Sequence, residues 1–346
     1  MSYKQMTGNI ISATKVEPDG VITNSAASGV WNLQDAYDYT RGGNWPNAAN
    51  APGRGIIFGG YDTSVGEINS IEFISIGSTG NALDFGDLAG TSSHGSACAS
   101  STRGIFYNGE YANAGGIQYV TIASTGNATD FGDMNQNVKE HAGFSNASRG
   151  VRAGGRVSSS RQEHIDYITI ASVGNATNFG DLSAARQDLS GLASTTRGVV
   201  GGGIASSSVD IIEYVTIANT GNTTDFGNLS AARKETPGTA SSNTRGLFMG
   251  GAPNSGTILN IIEYITIANT GNTTDFGDLT GVTSYLAATS NTTRAVRTGG
   301  YNGSASVNIL DFVVIATTGN ASDFGDLITI RYGSGSTSDA HGGIAA

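Results

Sequence analysis

The sequence predicts an all-β protein: a six-bladed β-propeller of four-stranded blades, closed by its C-terminal strand and preceded by a small N-terminal attachment segment. Three observations predict it. The stretch from Ile212 to Leu229 (IEYVTIANTGNTTDFGNL) has close copies that begin at Ile71, Ile117, Ile165, Ile262 and Leu310, so it occurs six times. Internal copies spaced by 40–50 residues mark repeat architectures, and in a β-rich chain they mark propeller blades. In each copy an aromatic lies 12 residues before the Phe of a Phe-Gly pair: Phe73/Phe85, Tyr119/Phe131, Tyr167/Phe179, Tyr214/Phe226, Tyr264/Phe276 and Phe312/Phe324. Finally, only 13% of residues are charged while glycine numbers 51, which suits turns and tightly packed strands better than helices.

Residues 1–52 stand outside the repeat. They hold both tryptophans and three of the five prolines. Trp31, Tyr37, Tyr39 and Trp45 crowd a short stretch with no core of its own, a composition typical of interfaces, so this segment is expected to attach or oligomerise the chain. The propeller is expected over 53–346.

Within each unit four strands follow. Strand A is rich in Ser, Gly and Ala, as in Leu189–Ser194, and small residues fit the crowded axis. Strand B opens on a marker Arg (Arg54, Arg103, Arg149, Arg197, Arg245 or Arg294) and generally runs into glycines. Strand C carries the Ile-Glu-Tyr motif, whose alternation suits a sheet packed on both faces. Strand D carries Phe-Gly-Asp-Leu. The marker Arg recurs once per unit, which points to bracing through carboxylate or carbonyl contacts. The spacing from Phe to the next marker Arg is nearly constant, whereas that from marker Arg to the next aromatic ranges from 16 to 19. Length variation thus lies in the B–C loops, on the same face as the D–A connections. Loops of this kind carry recognition, and the residues there that break the repeat are Tyr61, Glu110, Tyr111, Arg156, Arg161, His164 and Tyr301.

No A strand precedes Arg54, while the tail after Phe324 places Arg331 seven residues on, matching Arg186 after Phe179 and Arg233 after Phe226. The C-terminal segment is therefore expected to supply the first blade's missing strand and remove an open edge.

The unit resembles the kelch repeat, in the Arg before strand A (Arg186, Arg233), the Gly-Gly after strand B (Gly202-Gly203, Gly250-Gly251) and the acidic–aromatic pair of strand C (Glu213-Tyr214, Glu263-Tyr264). It departs from kelch in having Phe where that family has Trp in strand D. The run Ser28-Gly29-Val30-Trp31-Asn32-Leu33 with the Gly43-Asn44-Trp45-Pro46 turn resembles a module of structural proteins of tailed bacteriophages, marine and cyanobacterial ones in particular. That resemblance implies a virion protein on the particle exterior, in the tail or on the capsid surface. It would contact other virion proteins through the N-terminal segment and form a homo-oligomer, a trimer by analogy with phage fibres. A tail fibre or appendage whose propeller binds a host surface glycan or protein is the leading expectation. A capsid decoration protein without a receptor and a glycan-degrading enzyme are the alternatives.

Several classes are disfavoured. A formal charge of −10 argues against nucleic acid, whose phosphates require cations, and no run of 18 apolar residues provides a membrane span. The recurrent Asp-Phe-Gly lacks the phosphate and catalytic loops of a kinase. Oxygen-rich turns such as Asn127, Asp130 and Asp133 could ligate calcium, but Asn and Asp fulfil ordinary turn roles there. His94, His141, His164 and His341 share no metal spacing, and Cys98 reads as a small buried side chain. No cofactor, and no enzymatic activity, is expected.

Overall fold

The computed structural model describes residues 53–110, 115–235 and 238–344. They form six antiparallel sheets arranged as a β-propeller. The innermost strands are Gly335–Ser338, Ser96–Ala99, Ala142–Ser145, Ser190–Ala193, Gly238–Ser241 and Ala287–Ser290, and each packs beside the next until the circle closes. The C-terminal strand Gly335–Ser338 pairs with Arg54–Asp62, followed outward by Gly66–Ser75 and Leu83–Asp87, so blade one joins both ends of the propeller. Asp339 secures the junction by accepting the Gly53 and Arg54 backbone N–H groups at 2.7 and 2.8 Å. Blade three adds a short hairpin, Arg156–Val157 against Ser160–Arg161.

The apolar core is divided into six clusters, one at each interface between neighbouring blades. The fixed 12-residue spacing has its cause here. The strand C aromatic packs edge-on against the strand D Phe of its own blade, with centroids 5.9–6.1 Å apart in all six copies. The marker Arg lies over that same aromatic at 4.1–4.7 Å. Its guanidinium also donates to a backbone carbonyl at the end of the next blade's strand C, as Arg197 does to Ile267 at 2.8 Å and Arg54 to Ile122 at 2.8 Å. Arg294 closes the circuit by donating to Gly77 at 3.1 Å. The expected bracing is therefore by carbonyls, and it runs between blades.

A second clasp joins the outer strands. The N–H of the Thr-Gly-Asn turn glycine donates to the preceding blade's Phe carbonyl, as from Gly271 to Phe226 at 2.7 Å, and the turn Asn accepts from the residue after Phe-Gly, as Asn272 does from Asn228 at 3.0 Å. The Phe-Gly glycines have φ between +143° and +157°, and a Cβ on Gly227 would meet the Gly271 carbonyl oxygen at 2.3 Å. Only glycine allows that approach.

Carboxylates pair with a different set of arginines. Arg331 with Glu72, Arg186 with Glu213 and Arg233 with Glu263 are buried pairs whose Arg lies just before strand A. In blades three and six that position holds Val138 and Thr283, and the guanidinium comes instead from strand B: Arg152 meets Asp166, and Arg297 meets Asp311 at 3.2 Å. The acid there is one methylene shorter. Blade two has neither Arg, and its strand C carries the neutral Gln118, whose amide donates to Asn108 at 3.0 Å. At this strand C position a carboxylate thus occurs only where a guanidinium reaches it, as the cost of an unpaired buried charge demands.

Small inner strands leave a narrow axial channel, with contiguous cavities of about 50 and 70 Å³. Cys98 is buried in strand A and borders this channel; burial pushes its thiol up to about 12. At the A–B end the channel is stoppered by the C-terminal tail, where the His341 ring lies 3.1 Å from Ser145 Oγ and 3.2 Å from the Ala99 carbonyl, and Gly342 N–H donates to Ser241. The sequence reading anticipated the strand but not the stopper.

Candidate functional site

The opposite end of the axis gathers the residues that break the repeat. The seventh residue after each marker Arg lies in the B–C connection: Tyr61, Glu110, Arg156, Ile204, Ala252 and Tyr301. Each forms an isolated bridge to the D–A connection, to Tyr332, Ser93, Lys139, Gln187, Lys234 and Ser284 respectively. One residue further inward come Gly333, His94, Glu140, Asp188, Glu235 and Tyr285, one per blade, all left-handed with φ between +48° and +65°. Their backbones hydrogen-bond around the axis: His94 donates to Gly333, Glu140 to His94, Asp188 to Glu140, Tyr285 to Glu235 and Gly333 to Tyr285, at 2.7–2.9 Å. Five of the six are not glycine, and strain of this kind concentrates at functional sites.

The mouth is chemically lopsided. Tyr332 stands among Tyr61, Tyr301, Tyr285 and His94, with centroids 5.2–5.8 Å away, making an aromatic patch from blades six, one and two. The other side is charged. Arg156 grips Glu140 through two bonds of 2.6 and 2.7 Å, Gln187 donates to the same carboxylate at 2.8 Å, Lys139 meets Glu110, and Lys234 lies 3.1 Å from Glu235. Asp188 has no cation of its own. Its side chain is 3% exposed and its Oδ1 has no hydrogen-bond partner. Burial, then the charges of Glu140 and Glu235, push its carboxyl up to about 7. Burial likewise lowers His94, against the pull of Glu140 and Glu110, and so favours its neutral form.

Four of the residues singled out from the sequence (Tyr61, Glu110, Arg156 and Tyr301) therefore meet at this mouth. Arg161 is exposed on the blade-three hairpin opposite Arg156, and His164 lies on strand C with its ring 2.9 Å from Asp181 of the outer strand, so neither joins the ring. Tyr111, Trp31, Tyr37, Tyr39 and Trp45 lie outside the described residues. Tyr332, Tyr285, Glu140 and Asp188 lie outside the loops whose length varies and so do not stand out, and His94 is weighed only as a metal ligand. The available signal was variation in residue type: the position nine after each strand D Phe holds His, Glu, Asp, Glu, Tyr and Gly while its surroundings repeat. Among the described residues no group of His, Cys, Asp and Glu has a metal-binding arrangement. The Asn residues of the Thr-Gly-Asn turns accept backbone N–H groups between blades. No protein-family model matches the chain, and no curated protein matches it in sequence.

Proposed function

We propose that this chain is a structural protein of a bacteriophage particle, a tail fibre or similar exterior appendage, whose propeller binds a glycan on the host surface through the axial mouth. The protein acts by binding and does not cleave what it binds. One observation carries the reading: the residues that break the repeat converge on one face, while residues 1–52 join at Gly53 on the other. A body held from one face and chemically individual on the opposite one is built for display. Aromatic rings beside polar groups suit sugars, which offer a C–H face and a hydroxyl edge. The bacteriophage assignment rests on the resemblance of Ser28–Pro46, and that segment is taken to engage other virion proteins and to oligomerise the chain, so that weak contacts sum.

The test is binding of the purified protein to host cells and to a glycan array. Tyr332→Ala and Tyr61→Ala should each abolish binding without changing the fold, and bound oligosaccharide should be recovered uncleaved. Undiminished binding by both variants would overturn the assignment of the mouth, and released reducing sugar would overturn the non-catalytic reading.

A further inference from the structure

We propose that the axial mouth selects an amino sugar, with the protonated amine seated within the left-handed ring in the cavity beside Glu140 and Ser334, and the pyranose face laid on the tyrosines. This deepens the glycan-binding reading and rests on it. The charges at the mouth decide the sign of the ligand. Lys139, Arg156 and Lys234 each have a carboxylate partner, which leaves Asp188 as the uncompensated group. An acidic sugar would meet cations that are already engaged and a carboxylate that is not. An ammonium group at the ring would supply the positive charge that Asp188 lacks.

Space and acceptors agree. A cavity of about 20 Å³ lies at the ring, bordered by His94, Glu140, His141, Tyr285, Gly333 and Ser334. That is room for one water-sized group, such as a primary ammonium. Ser334 Oγ, buried and without a hydrogen-bond partner, offers an acceptor there. Beside the cavity the half-buried Tyr61 and Tyr301, inclined at 42° and 61° to the Tyr332 ring, offer with it aromatic faces for the C–H side of a pyranose. A lysine side chain has no comparable face to place on three rings. An N-acetyl group would remove the charge and overfill the cavity.

The experiment is calorimetric titration of the full chain, at about pH 7, with glucosamine oligomers, their N-acetylated counterparts, galacturonate oligomers and a lysine-bearing peptide. The glucosamine oligomer should bind at least about 10-fold more tightly than the N-acetylated one. Asp188→Asn and Ser334→Ala should each reduce that preference, with melting curves confirming the fold. Tyr332→Ala should abolish binding of both sugars. Equal binding of the amino and N-acetyl sugars, or preference for galacturonate, would overturn the amine site and leave the glycan reading standing. Peptide binding as tight as the amino sugar would overturn the sugar assignment. Failure of every sugar to bind would overturn both.

Discussion

Gln118 is the residue whose chemistry most sharply exposes the rule behind the repeat. Its counterparts Glu72, Asp166, Glu213, Glu263 and Asp311 all face a buried guanidinium, and it alone faces a neutral amide. Gln118→Glu should therefore destabilise the protein by about 3 kcal/mol or more at neutral pH, because it buries a carboxylate with no cation in reach; chemical denaturation would measure it, and a neutral result would mean that blade two tolerates charge. Asp188 presents the related case in the native chain. Its folded carboxyl, at about 7, lies above the unfolded value of roughly 4. The folded state thus binds the proton more tightly, and this group's contribution to stability falls as pH rises from about 4 to about 7. Glu140, Glu235 and Arg156 face it throughout that window. Asp188→Asn should match the parent below about pH 4 and exceed it above pH 7, by an amount on the order of a few kcal/mol. Thermal melts across that range would reveal the crossover, and parallel pH profiles would contradict it.

At the scale of the blade, the fixed segment from aromatic to Phe-Gly works as a connector as much as a strand pair. Gly227→Ala should cost about 1–3 kcal/mol, since a Cβ meets the next blade's backbone at 2.3 Å and the φ of +147° disfavours any side chain. Arg197→Met, which removes both the contact over Tyr214 and the bond to Ile267, should cost a similar amount. Both are read by denaturation, and a loss below about 0.5 kcal/mol at either site would show that blade contact does not depend on these clasps. Strand order, blade number and the constancy of the 12-residue spacing were legible in the sequence, because period and alternation are local properties of the chain. The partners were not. Arg197 reads as a brace once its recurrence is seen, yet nothing in the one-dimensional pattern says that it reaches Ile267, 70 positions on and in another blade. Likewise Tyr61 and Tyr301 stand out as exceptions, but that they meet through Tyr332 depends on the closure that brings positions 61 and 332 together.

For the molecule as a whole, closure governs stability and polarity together. Ending the chain after Arg331 keeps the buried Arg331–Glu72 pair but removes the innermost strand of blade one and the tail that stoppers the channel. The truncated protein should melt well below the parent and with a broader transition, since an open array loses the cooperativity of a ring; an unchanged midpoint would show that the ring holds without its last strand. The junction also determines how the protein would carry load. Strand Arg54–Asp62 begins where the first fifty-two residues join and lies between the C-terminal strand on one side and Gly66–Ser75 on the other. A pull on Gly53, away from the face it leaves, runs along that strand, so the hydrogen bonds to both neighbours are stressed in shear, all at once, and none can be peeled open singly. In the proposed display role, a propeller tethered this way would resist being drawn off its anchor by drag while a ligand is held at the far end.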